Sequence, residues 1–173
     1  MIKQDYIMRL IEQFVKVLAK ILFNKKAGNY GDTIQNIDKA FNGIIGLDSK
    51  LIDISSAENI ISLLKLPGDN TALNVKYIIA AKLIKEKADI KSLDNSENFN
   101  SQFEYQKSLS LFLEGYLSKK DEDFKLEDYY KDVEELAEKL KDSLSLDDKT
   151  KLLQFYKMIG DKNKLNDESL KLN

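Results

Sequence analysis

The chain contains no cysteine, no histidine and no tryptophan among its 173 residues. Disulfides, thiolate nucleophiles, imidazole bases and the usual zinc ligand sets are therefore excluded. A conventional hydrolase or metalloenzyme does not fit, and no cofactor is expected. A chain without thiols is indifferent to redox poise and fits a reducing compartment. With no continuous apolar leader at its N-terminus, the expected location is the cytoplasm. No apolar run approaches the ~20 residues that a bilayer crossing requires. Arginine is almost missing too: of 27 basic residues only Arg9 is one, and the net charge is −2. Nucleic-acid recognition draws on guanidinium forks and a positive field over phosphates, so neither DNA nor RNA is an expected partner.

One proline and seven glycines leave few places to break a helix. No segment alternates apolar and polar with period two, so no strand is expected. A chain of this length forms one domain, residues 1–173, burying roughly 70% of the surface its unfolded form exposes.

What is present is helical periodicity. In DYIMRLIEQFVKVLAKILF the apolar residues Ile7, Leu10, Ile11, Phe14, Val15, Leu18, Ile21 and Leu22 recur at spacings of three and four. Val17 and Ala19 widen this arc beyond what one neighbour covers. A second helix runs to about Ile45, and a short one opens at Ser55, which stands three residues before Glu58 at capping-box spacing. Pro67 and Gly68 stop that helix. An Ala-rich segment, TALNVKYIIAAKLIKEKADI, follows, then FNSQFEYQKSLSLFLEGYL. From Leu126 the residues Tyr129, Tyr130, Val133, Leu136, Ala137 and Leu140 form a clean apolar face. After a cap at Ser145 and Asp148 come two short helices hinged at Gly160. Seven or eight helices are expected in all.

The loop AGNYGDTIQNIDKAF places Gly28, Asn29 and Tyr30 in a tight turn, with Asn29 positioned to cap the next helix. Thr33, Ile37 and Ala40 then share one face, small, bulky, small, which admits a close antiparallel neighbour. This spacing resembles the helix-turn-helix unit of tetratricopeptide repeats. YKMIGDKNKLNDESL, with Gly160, Asp161 and Leu165, echoes it, and Tyr105 and Ser108 resemble the bulky-then-small pair of the second helix. The echoes depart from the family's ~34-residue period. The opening QDYIMRLIEQFVKVLAKIL is also similar to the start of a family of small Gram-positive bacterial proteins regarded as tetratricopeptide-like and having no assigned activity. The resemblance implies an all-α fold of antiparallel helical hairpins stacked as a short tetratricopeptide-like α-solenoid. It implies no reaction.

Three near-motifs carry little. Gly28-Asn29-Tyr30-Gly31 matches the GXXG of a nucleic-acid-clamping loop but lacks the strands and basic surface that loop needs. Asp94, Ser96, Asn98 and Asn100 alternate as in a calcium loop, yet Phe99 and Tyr105 stand where glycine and the bidentate glutamate belong, so this is a polar loop with a helix cap. Asp121, Glu122 and Asp123 form a solvated acidic run. Lys3, Arg9, Lys16, Lys20, Lys25 and Lys26 give the first helix a basic character that would suit a membrane surface, but its apolar arc is that of a core helix.

The functional expectation is a non-catalytic intracellular adaptor or scaffold that binds a protein or peptide. In stacked hairpins the first helix of each pair lines the concave face, which selects Asn74, Ile78, Lys82 and Lys85 as contacts for a peptide backbone or a terminal carboxylate. The alternative is a small-ligand receptor or enzyme with a Lys/Tyr/carboxylate pocket built from Lys82, Tyr77 and Glu86. The wide arc of the first helix, with fewer neighbours to cover it than an internal helix has, suggests a two-fold homodimer centred on Phe14, Val17 and Ile21.

Overall fold

The computed structural model describes residues 2–66, 68, 70–94, 99–118 and 129–166. Among them there are nine α-helices and no strand: α1 (Ile2–Lys26), α2 (Tyr30–Ala40), α3 (Ser49–Ile54), α4 (Ala57–Lys65), α5 (Leu73–Leu93), α6 (Ser101–Leu117), α7 (Tyr130–Lys139), α8 (Leu146–Ile159) and α9 (Lys162–Leu165). A π-helical turn, Phe41–Ile45, extends α2. No helix among these residues is long and apolar enough to cross a membrane. Pro67, Ser96, Asn98, the run 121–123 and Leu126 lie outside the described residues.

Local signals place most boundaries. Gly28 adopts φ 77°, a left-handed turn that a side chain resists, and reverses the chain between α1 and α2. Asn29 occupies the cap position of α2 but makes no side-chain cap; instead the Thr33 hydroxyl donates to the Asn29 carbonyl at 2.6 Å. The cap of α4 is Ser56 rather than Ser55, accepting from the Asn59 amide at 3.2 Å. Asn100 caps α6, and Ser145 caps α8 through the Asp148 amide, as their spacing predicts. Thr33, Ile37 and Ala40 are all buried, as are Val133, Leu136, Ala137 and Leu140.

The centre is α5. No glycine or proline interrupts Leu73 to Leu93, its alanines, leucines and lysines favour the helix, and almost its whole circumference is covered. Helix α6 returns against it closely. The Ser108 hydroxyl donates to the Ala81 carbonyl at 2.7 Å. Gly115 lies so near α5 that a Cβ there would sit 2.6 Å from Ile78 Cγ1 and 2.9 Å from the Asn74 carbonyl oxygen.

Pairings along the helices give their directions. Tyr6 meets Lys76 and Lys25 meets Glu86, so α1 runs in the same sense as α5. Lys82 meets Asp132 and Asp89 meets Lys139, so α7 runs in that sense too. Ser110 meets Asp148 and Tyr116 meets Phe155, which aligns α8 with α6. An aromatic cluster of Phe112, Tyr116, Tyr129, Tyr130, Phe155 and Tyr156 joins α6, α7 and α8.

Candidate functional site

Helix α5 carries its charges inward. Lys82 and Lys85 are only 8% and 3% exposed. Their apolar stems pack beside the core while the ammonium groups reach carboxylates of α5 itself and of α7. Lys82 Nζ lies 2.8 Å from Glu86 and 2.9 Å from Asp132. Lys85 Nζ lies 3.1 Å from Asp89, 3.2 Å from Glu135 and 3.5 Å from Asp132. Lys25 of α1 approaches Glu86 at 2.8 Å and Asp89 at 3.1 Å, and Lys139 of α7 approaches Glu135 at 3.1 Å. The Tyr105 hydroxyl donates to Asp89 at 2.8 Å. Four ammonium groups thus meet four carboxylates in the seam between α1, α5 and α7.

The electrostatics follow from that balance. Burial alone would raise the pKa of Asp89, yet Lys85 and Lys25, with the Tyr105 hydroxyl, hold it down at about 2. Burial opposes ionisation of Glu86 as well, and Lys82 and Lys25 overcome it, leaving that carboxyl below its ordinary value. For Lys85, burial works downward, but Asp89, Glu135 and Asp132 hold the ammonium above the usual lysine range. Asp89, Glu86 and Lys85 are each held in the charged form. None is poised to exchange a proton near neutral pH, which a general acid or base must be.

A second cluster lies beside the π-helical turn. Lys87 Nζ stands 2.9 Å from Asp38 and 2.8 Å from Asp53, and donates to Ser49 Oγ at 3.1 Å. A serine beside a lysine invites comparison with a nucleophile and its base. Here the lysine is paired with two carboxylates and donates to the hydroxyl, which in turn donates to Asp38, and Ser49 is buried. Lys107 is similarly committed, to the Ile52 and Asp53 carbonyls and to Glu104. No buried side-chain nitrogen or oxygen among the described residues lacks a partner.

No family model, curated protein or solved structure matches this chain. Its site has to be judged from its own geometry.

Among the described residues a cleft at the start of α5 has room for a small molecule, and a broader, more open depression of about 610 Å³ lies over Tyr105 and Lys139. The cleft measures about 390 Å³ and opens between the end of α4, the start of α5 and the end of α6, lined by Lys65, Asn70, Asn74, Tyr77, Glu114 and Ser118. Ala72, at φ 60°, turns the chain into α5 at its edge. Burial and the Glu114 carboxylate push the Tyr77 phenol up to about 12, so it stays a neutral donor.

The residues chosen from sequence are scattered by this arrangement. Of Asn74, Ile78, Lys82 and Lys85, only Asn74 reaches the cleft; Ile78 is core and the two lysines belong to the ionic seam. Of Lys82, Tyr77 and Glu86, Tyr77 alone lines it. Phe14 and Ile21, expected at an outer face, are 1% and 0% exposed, and Val17 packs against the core. The outer face of α1 is instead Met8, Val15, Leu22 and Phe23, with Val15 51% and Phe23 71% exposed. The spacing of seven from Met8 to Val15 to Leu22 puts these three on one line. The arc seen in the sequence spans both faces, and periodicity alone does not say which side turns inward.

Proposed function

We propose that the chain is a non-catalytic protein-interaction module of the cytoplasm, built as a short tetratricopeptide-like stack of the hairpins α1–α2, α5–α6 and α7–α8. The shared direction of α1, α5 and α7, and of α6 and α8, supports the stacking, since equivalent helices of successive repeats run alike. The observation that carries the interaction role is the contrast between surfaces. The ionisable groups of the interior are consumed in mutual pairs, while the outer face of α1 exposes an aligned row of large apolar side chains. A partner binds there, not along the lysines of α5. The test is affinity capture from a native lysate with the wild type and with Val15→Glu. A protein retained by the first and lost by the second supports the module, whereas recovery of nucleotides or metabolites alone overturns it.

The cleft supports a second reading, a receptor for a small polar ligand. An ammonium, a carboxylate, two amides and a phenol hydroxyl converge there from Lys65, Glu114, Asn70, Asn74 and Tyr77. Thermal shift against a panel of amino acids and dipeptides tests it, with Tyr77→Phe and Asn74→Ala expected to abolish any stabilisation.

A further inference from the structure

We infer that the occupant of the outer face of α1 is a second copy of this chain, packed antiparallel across a two-fold axis near Val15. This rests on the module reading above and names its partner. The apolar row steps along α1 by seven, four and three through Met8, Val15, Ala19 and Leu22, with Phe23 four residues beyond Ala19, all exposed. The charges nearest to it are sorted by sign, with Arg9 at its margin the one base on this face in the N-terminal half. On this face the N-terminal half carries Asp5 and Glu12, and the C-terminal half carries Lys16 and Lys26. Among the described residues none of these four exposed side chains has an ion pair, although Glu12 and Lys16 are one turn apart.

That distribution is self-complementary in one orientation only. Antiparallel packing about Val15 sets Met8 against Leu22 of the second copy. It also brings Asp5 toward Lys26 of the second copy, and Glu12 toward Lys16. Each contact occurs twice by symmetry, as an isologous interface requires. Parallel packing in register would oppose Asp5 to Asp5 and Lys16 to Lys16, with like charges beside the apolar row. A heptad-spaced row of Met, Val and Leu is also suited to helix-against-helix packing. A contact made through one helix face is small, so the association is weak and concentration-dependent.

Sedimentation equilibrium of the full chain over a wide concentration range is the first test. The wild type dimerises, Val15→Glu is monomeric with an unchanged circular dichroism spectrum, and Glu12→Lys and Lys16→Glu each associate about tenfold more weakly. Mixing the two charge variants restores association, because positions 12 and 16 are then both basic in one copy and both acidic in the other, while the approach of Asp5 to Lys26 is unchanged. A wild type that stays monomeric throughout, or a mixture that gains nothing, overturns the proposal. A photo-crosslinking amino acid at position 22 in the producing cells separates this failure from failure of the module reading. A product of twice the chain mass supports the dimer. Adducts only with other proteins sink the dimer and leave the module standing, and no adduct sinks both.

Discussion

Replacing Asp89 by Asn removes one charge from the seam while keeping an acceptor for the Tyr105 hydroxyl. The folded carboxyl titrates at about 2 against an ordinary 3.8, and its side chain is 13% exposed. The difference corresponds to about 2 kcal/mol of folding free energy. Because the folded value is depressed, that stabilisation is present in full above the unfolded value and is lost as pH falls through the folded one. Asp89→Asn therefore lowers stability by about 2 kcal/mol at neutral pH, and the gap between variant and wild type closes between about pH 4 and pH 2. Glu86 is depressed in the same direction, but it is present in both proteins and contributes mainly to their common acid sensitivity. Urea titrations followed by far-ultraviolet circular dichroism at a series of pH values give both curves. An offset that stays constant across the acid range, or no offset at pH 7, would refute the account of the seam as a set of fixed charges.

Gly115→Ala gains about 1 kcal/mol of helix propensity but forces a methyl against the Asn74 carbonyl and the branched stem of Ile78, an overpacking that costs about 1–3 kcal/mol. Its melting temperature should fall, and a rise would mean that α5 and α6 separate easily. Phe14→Ala should cost about 3–5 kcal/mol in denaturant unfolding, whereas Val15→Ala beside it should change monomer stability by less than about 1 kcal/mol. Equal effects would contradict the assigned faces of α1. In an ultraviolet titration against Tyr77→Phe, the Tyr77 phenol should ionise only toward about 12, and the stability it confers should be lost as pH rises above about 10. Ionisation near 10 in the folded protein would show that the cleft is open to water at that hydroxyl.

The helices themselves were legible because their signals are local. Gly28 and Gly160 mark turns, Ser145 and Asn100 mark starts, and the face of α7 has one apolar side and one charged side. Helix α5 was not legible in that way. Its Lys82 and Lys85 read as ligand contacts on an open concave face and Lys87 carried no signal, since a sequence shows a charge but not the distant carboxylate that neutralises it. Asp132 and Asp53 supply those partners from other elements. A helix buried on every side has no dominant apolar direction, and the usual inference from amphipathicity fails there. Helix α1 failed differently. Phe14 and Val15, or Ile21 and Leu22, are adjacent in sequence yet face opposite ways, and the choice between them depends on where α5 and the aromatic ring of Tyr129 stand.

Chains of stacked hairpins commonly loosen from their ends, each unit holding only to its neighbour. The seam along α5 changes that expectation here. Detaching α1 takes away Lys25 and leaves Glu86 and Asp89 underpaired beside the core, and detaching α7 takes away Asp132 and Glu135 and leaves Lys82 and Lys85 so. A half-undone chain therefore strands buried charge, a penalty of several kcal/mol that neither end meets alone in an apolar stack. The two ends are coupled through the middle, and the amide protons of α5 should exchange with solvent only when the whole fold opens at once.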